Sequence, residues 1–256
     1  MSEKFIGYFR LVDACEREGC PVCACLDEDS HRAVDAILSE HVTDPDTRGR
    51  LRETWGFCNW HTWSLLEGEA PATGAAILYE DLVHVCQQRV QRLRECARRP
   101  LSWPLRWLRT VVARGARRQV PRIVAWYRVR PPCPVCARLG VAEKGYLDAF
   151  VEFADDPQLS RAYRRSTGLC LPHLLVALER SPETSRIGSI VRSTLAKWQE
   201  LRGDLARFVT RHEYRNTEPF TEAEATSYRR AAEVLAGRRS LFGNGMSRAD
   251  APGWEA

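Results

Sequence analysis

Apolar residues recur along this chain every three to four positions, the spacing of one face of an α-helix. Val34, Ile37 and Leu38 follow it early, and Leu147, Phe150 and Val151 repeat it later. Each of these stretches runs into an Asp-Pro pair, Asp44-Pro45 and Asp156-Pro157. A carboxylate accepts hydrogen bonds from the orphan amides of a first turn, and proline fits the first helical position, where its missing N–H costs nothing. Both pairs therefore predict helix starts, with Gly56 and Gly168 as the left-handed residues that end those helices. Short helices are expected over "WHTWSLLEG" and "PHLLVALER", each followed by a long one. The first long stripe is Leu78, Leu82, Val85, Val90 and Leu93. The second opens at Ser181-Pro182 and runs through Ile187, Val191, Leu195, Trp198, Leu201, Leu205 and Phe208. A last helix, about 222–236, starts with the capping box of Thr221 and Glu224 and stops at Gly237. The tail over 238–256 has little to pack and is expected to lack structure. No segment alternates as a half-buried strand would, so the fold class is all-α.

The chain also repeats itself. "GCPVC" at 19–23 returns as "PCPVC" at 132–136, displaced by 113 residues. "TDPDTRGRLRETWGFCNWH" at 43–61 returns as "DDPQLSRAYRRSTGLCLPH" at 155–173, displaced by 112. Both copies read Cys-Pro-Val-Cys and then Gly-x-Cys-x-x-His, with 34 or 33 residues between the second and third cysteines. The expected organisation is a first helical unit at 1–97, a basic insert at 98–131, a second unit at 132–213, a terminal helix at 214–237 and the tail.

Composition narrows the chemistry. Hydrophobic content of 44% and charged content of 28% describe a soluble globular chain. No apolar run is long enough to span a bilayer, and the acidic residues of "MSEKFIGYFRLVDACERE" interrupt any signal-peptide core. These features place the protein in the cytoplasm, where thiols stay reduced. Its ten cysteines then read as metal ligands or buried thiols before disulfides. Cys₃His is an established structural zinc set. Taking each copy as self-contained, site one is Cys20, Cys23, Cys58 and His61, and site two is Cys133, Cys136, Cys170 and His173. That makes two zinc ions per chain, each with four protein ligands and no open position for water. An iron–sulfur cluster and a redox dithiol pair are the alternatives. Cys15, Cys25, Cys86 and Cys96 have no counterpart cysteine and read as small buried hydrophobes or free thiols. His31, His41, His84 and His212 are unduplicated and read as ordinary surface or partly buried histidines.

Charge is uneven. Net charge is +5, yet residues 92–130 carry twelve arginines and one acid, a local +11 that leaves the rest of the chain at −6. Arg106, Arg109, Arg114, Arg117, Arg118 and Arg122 interleave there with Trp103, Trp107, Trp126 and Tyr127. This mixture suits phosphates and bases, or an anionic membrane surface. It equally suits a helical hairpin whose tryptophans pack on the body while the arginines face water.

The paired "CPVC…GFCNWH" and "CPVC…GLCLPH" units, with Asp-Pro ahead of each second half, resemble an uncharacterised prokaryotic family known only as a domain of unknown function. The closing "HEYRNTEPFTEAEATSYRRAAEVLAG" resembles that family's C-terminal segment. The resemblance covers most of residues 15–237. It implies an α-helical fold with two Cys-x-x-Cys/Cys-x-x-His units, and it implies no activity. The chain contains no P-loop, dinucleotide fingerprint, His-Glu-x-x-His or nucleophile elbow. The expected function is a non-enzymatic, zinc-stabilised helical protein that binds a polyanion or protein partner through the basic insert. The alternatives are a thiol- or metal-based redox sensor or enzyme, and a structural subunit of a larger assembly, including a homo-oligomer.

Overall fold

A computed structural model describes residues 3–67, 72–98, 131–181, 184–212, 218–239 and 241. Among the described residues ten α-helices occur and no strand. They are α1 Ile6–Ala14, α2 Pro21–Ser39, α3 Pro45–Thr54, α4 Asn59–Glu67, α5 Ala72–Arg98, α6 Pro134–Glu152, α7 Pro157–Arg165, α8 Leu171–Arg180, α9 Thr184–Arg211 and α10 Glu222–Ala236. Residues 99–130, with the six arginines named above, and 242–256 lie outside the described residues, as does the side chain of Cys96.

Local rules account for most of the helix ends. Asp44 caps α3 by accepting from the Thr47 amide at 2.8 Å, and Asp156 caps α7 by accepting from the Gln158 and Leu159 amides. Pro45 and Pro157 take the first helical positions, as expected. The capping box of Thr221 and Glu224 opens α10, and Gly237 follows its last residue. Two helix ends differ from expectation. The residue closing α3 in the left-handed region is Trp55 (φ 58°), and Gly56 (φ 90°) follows it, donating its amide to the Leu51 carbonyl at 2.7 Å. That six-to-one bond needs a left-handed residue before the glycine, which forces the bulky Trp55 into the conformation. Helix α7 ends at Arg165 and caps on Ser166 in extended geometry, so Gly168 (φ 92°) turns the chain only afterwards. There its amide donates to Ser166 Oγ, and a Cβ on it would stand 2.8 Å from Lys197 Cδ.

The described chain divides into two compact units that interleave in sequence. One comprises the described residues of 1–31 and 138–241; the other comprises the described residues of 32–137. The unit boundaries therefore fall inside α2 and α6.

In the first unit α1 packs on α7, α9 pairs with α10, and α10 also lies against α8. Tyr8 is fully buried on α1, and its hydroxyl donates to Asp156 at 2.5 Å, so the carboxylate that caps α7 also holds α1. Lys4 adds an ion pair to the same group at 2.8 Å. Phe150 and Leu147 are buried on α6, where the apolar spacing put them. The α9–α10 pair is locked by Glu224, which is 2% exposed and accepts from Arg207 Nε at 3.0 Å and Arg211 Nη1 at 2.7 Å. A buried carboxylate costs free energy unless paired, so this register resists sliding. The stripe on α9 is shifted from the expected one: Ile190, Thr194 and Leu201 are buried, while Leu195 is 59% exposed. Thr194 can take a core position because its hydroxyl donates back to the Ile190 carbonyl at 2.9 Å.

In the second unit α3 and α4 pack on α5. Leu78 and Leu82 of α5 are buried, as their spacing required. Asp81, on the same helix, accepts a forked pair from Arg52 and contacts Arg48 at 3.2 Å. Gly74 marks a close approach: a Cβ there would sit 2.8 Å from the Leu38 carbonyl oxygen. Val34, Ile37 and Leu38 are buried as expected. Helix α1 was not anticipated, because "IGYFRLVDA" is too short to show a clear period.

Candidate metal centres

Four times in this fold a ligand pair occupies the first turn of a helix. Cys20 precedes α2 and Cys23 lies in its first turn; Cys133 and Cys136 do the same on α6. Cys58 precedes α4 with His61 in its first turn, and Cys170 caps α8 with His173 three residues on. Residues at i and i+3 share a helix face, so each pair points its donor atoms one way. In every case the carbonyl of the leading cysteine accepts the first helical bond, from Ala24, Thr62, Ala137 or Leu174 at 2.8–3.0 Å. The partial positive charge of a helix N-terminus favours thiolate over thiol. Backbone amides add to it where His61 N–H donates to Cys58 Sγ and Cys136 N–H to Cys133 Sγ, both at 3.4 Å.

The pairs combine across the repeat. Cys20 and Cys23 meet Cys170 and His173; Cys58 and His61 meet Cys133 and Cys136. In each group the four donor atoms all lie within 4.8 Å of one another. All eight expected ligands are thus brought together, but the expectation that each copy closes its own site is wrong. The reason is helix length. Helix α2 has 19 residues and so extends about 28 Å from Cys20, whereas the ten residues of α3 return about 15 Å. A rigid excursion of that length works against closing Cys58 back onto Cys20 and Cys23. Each group lies within one compact unit, the first in residues 1–31 and 138–241, the second in 32–137.

The geometry tests whether an ion fits. His173 Nδ1 stands 3.4 Å from Cys20 Sγ, 3.4 Å from Cys23 Sγ and 3.2 Å from Cys170 Sγ. His61 Nδ1 stands 3.2 Å from Cys58 Sγ and 3.3 Å from both Cys133 Sγ and Cys136 Sγ. Sulfur–sulfur separations are 3.8 Å for Cys23–Cys170, 3.6 Å for Cys58–Cys136 and 3.3 Å for Cys133–Cys136. A tetrahedral zinc with ordinary bond lengths spaces its sulfurs about 3.8 Å apart and sulfur from nitrogen about 3.6 Å. The donors therefore already stand near the edges of such a tetrahedron, and the sulfurs are too far apart for disulfides. All nine cysteines whose side chains are described are free.

The electrostatics of each group is that of thiols and an imidazole crowded together, a set that could hold a shared cation. The Cys23 thiol donates to Cys170 and Cys20, and those bonds, with burial, push it far above its ordinary range. In the other group Cys133 and Cys58 do the same to Cys136. Cys20 moves well below its ordinary range although burial opposes this, because Cys170 and Cys23 donate to it. Cys58 is drawn down by Cys133 and Cys136. Burial disfavours charge on both imidazoles, but the neighbouring sulfurs outweigh it, raising His61 to about 9 and His173 well above the usual imidazole range. Protons shared among crowded sulfurs and an imidazole occupy the place that a divalent cation would take.

The two groups differ around their edges. Cys20, Cys23, Cys170 and His173 are all buried, and His173 Nε2 lies 3.1 Å from Glu143 Oε1. In the second group Cys58 is only half-buried, and the buried His61 Nε2 has no hydrogen-bond partner among the described residues. Glu143 was not foreseen, since it lies thirty residues before its histidine. The repeat held a partial signal: the register of Glu143 in the first copy is Ser30, which supplies no carboxylate. The remaining described cysteines, Cys15, Cys25 and Cys86, are in neither group. Burial pushes Cys15 and Cys25 up to about 12, consistent with inert buried thiols. His31, His41, His84 and His212 are exposed.

The chain belongs to the DUF6062 family, a family of unknown function, whose model matches residues 1–240. No curated protein and no solved structure matches it. Among the described residues no helix is long and apolar enough to cross a membrane.

Proposed function

We propose that this member of a family without assigned function is a zinc-stapled helical protein of the cytoplasm that works by binding a polyanionic partner. The observation that carries the metal reading is the pair of Cys₃His groups with donor spacings close to a zinc tetrahedron. Cys20, Cys23, Cys170 and His173 would hold one ion, and Cys58, His61, Cys133 and Cys136 the other. Three thiolates and an imidazole fill a tetrahedral coordination shell, leaving no position for a substrate or activated water. Such an ion supplies folding energy, which supports a non-enzymatic role. The donor set, rich in thiolate, favours zinc over harder cations.

The partner reading rests on charge. Residues 92–130 carry +11 within a chain of net +5, with tryptophans among the arginines. Arg106, Arg109, Arg114, Arg117, Arg118 and Arg122 would contact phosphates, releasing counterions from the polyanion. Protein purified without added metal is expected to contain about two zinc ions per chain by elemental analysis, following the four-ligand rule. The same material is expected to bind single-stranded RNA at low salt, with affinity falling steeply as salt rises. Metal content near zero refutes the staple; absence of RNA binding at low salt refutes the partner.

A further inference from the structure

The two centres share a ligand set but not a surrounding, and that difference bears on what each ion can do. A metal-bound imidazole is oriented by whatever its second ring nitrogen meets, and outer partners of this kind are worth about 10–100-fold in metal affinity. At His173 the partner is the Glu143 carboxylate, 3.1 Å from Nε2, which fixes the ring and raises its basicity. At His61 the same nitrogen is buried and has no hydrogen-bond partner among the described residues. Access differs in the same direction. The first centre is closed: Cys23 and His173 are 0% exposed, and Cys170 is 1%. A cavity of about 170 Å³ lined by Arg230, Glu233 and Val234 of α10 reaches Cys20 and Cys170, yet Cys20 keeps only 8% exposure. The second centre presents Cys58 half-buried, the most exposed of the eight residues and the side from which a solvent-borne thiol or chelator would approach.

From these observations we infer that the Cys58–His61–Cys133–Cys136 centre is an exchange site, which takes up and yields a thiophilic divalent cation while the other ion stays in place. The inference rests on the two-zinc reading and adds a division of labour to it. Exchange proceeds by substitution at the metal. An incoming thiolate or chelator carboxylate displaces Cys58 from the exposed side, and the ion leaves with the incoming ligands. The cysteines then take up protons, and no electrons move.

Two variants probe the outer partner. Glu143→Ala removes the acceptor from His173, and Glu143→Gln keeps a carbonyl oxygen in its place. The holo full-length chain, shown by elemental analysis to hold two zinc ions, is titrated with EDTA. Released metal is read with a colorimetric dye, and freed cysteines are alkylated and located by peptide mass spectrometry. The expected result is two steps separated about 10- to 100-fold in chelator concentration. Cys58, Cys133 and Cys136 are alkylated in the first step, and Cys20, Cys23 and Cys170 only in the second. Glu143→Ala brings the second step about tenfold or more toward the first, and Glu143→Gln recovers part of that shift. A single step, first-step alkylation of Cys20, Cys23 and Cys170, or a second step indifferent to Glu143→Ala overturns the inference while leaving the two-zinc reading intact. A chain that never held two ions fails earlier, at the metal analysis.

Discussion

Serine at Cys20 and Cys170 together is expected to remove one metal ion per chain, whereas serine at Cys20 and Cys58 together removes two. The difference follows from the crossed pairing: Cys20 and Cys170 serve one ion, and Cys20 and Cys58 serve different ones. Stability reports the same thing through additivity. Once Cys20 is lost its centre is broken, so losing Cys170 as well adds little. Distant sites with no shared partner instead add nearly in full. Each broken centre forfeits on the order of 10 kcal/mol of ion binding that a structural zinc contributes to folding, so the coupling between Cys20 and Cys170 is far larger than experimental error. Metal content and denaturation midpoints of the four single variants Cys20, Cys23, Cys58 and Cys170 to serine, with the two doubles, decide the matter. If Cys20→Ser/Cys58→Ser retains one ion and Cys20→Ser/Cys170→Ser none, the pairing within each copy is restored.

Complete removal of metal is expected to collapse the helical signal. A domain keeps a net stability of about 5–15 kcal/mol, and two structural ions contribute binding energy at least as large. The empty sites are also poor cores. Each leaves three sulfurs and an imidazole packed together, with separations such as 3.3 Å between Cys133 and Cys136. Those groups must hold protons or carry like charge. Acid has the same effect as a chelator, because ligands bind zinc deprotonated; lowering pH hands protons to thiolates and imidazoles and releases the ion. The measurement is far-ultraviolet circular dichroism during chelation, followed by addition of zinc in excess. The expected outcome is loss of most helicity and its return with metal. Retention of full helicity and thermal stability in metal-free protein would remove the staple from the account.

Much of this protein could be read from its sequence because the relevant interactions are local. Asp44, Asp156 and Thr221 start helices through bonds to amides two or three residues away, and the buried Leu78, Leu82 and Phe150 follow a period set by helix geometry alone. The eight cysteines and histidines that cluster were legible for a different reason: identical residue types recurred in register while their surroundings diverged. Sequence did not decide which ligands share an ion, because chain distance is a weak constraint. Closing the 147 residues between Cys23 and Cys170 rather than the 35 between Cys23 and Cys58 costs only about 1.3 kcal/mol of loop entropy, small beside a zinc ion's binding energy. The rigid span of α2, about 28 Å for its 19 residues, works against closing Cys58 onto Cys20 and outweighs that difference. Only the tertiary structure could set Glu143 against His173, leave His61 Nε2 without a partner among the described residues and keep Cys58 half-buried, since none of these depends on neighbours within a turn.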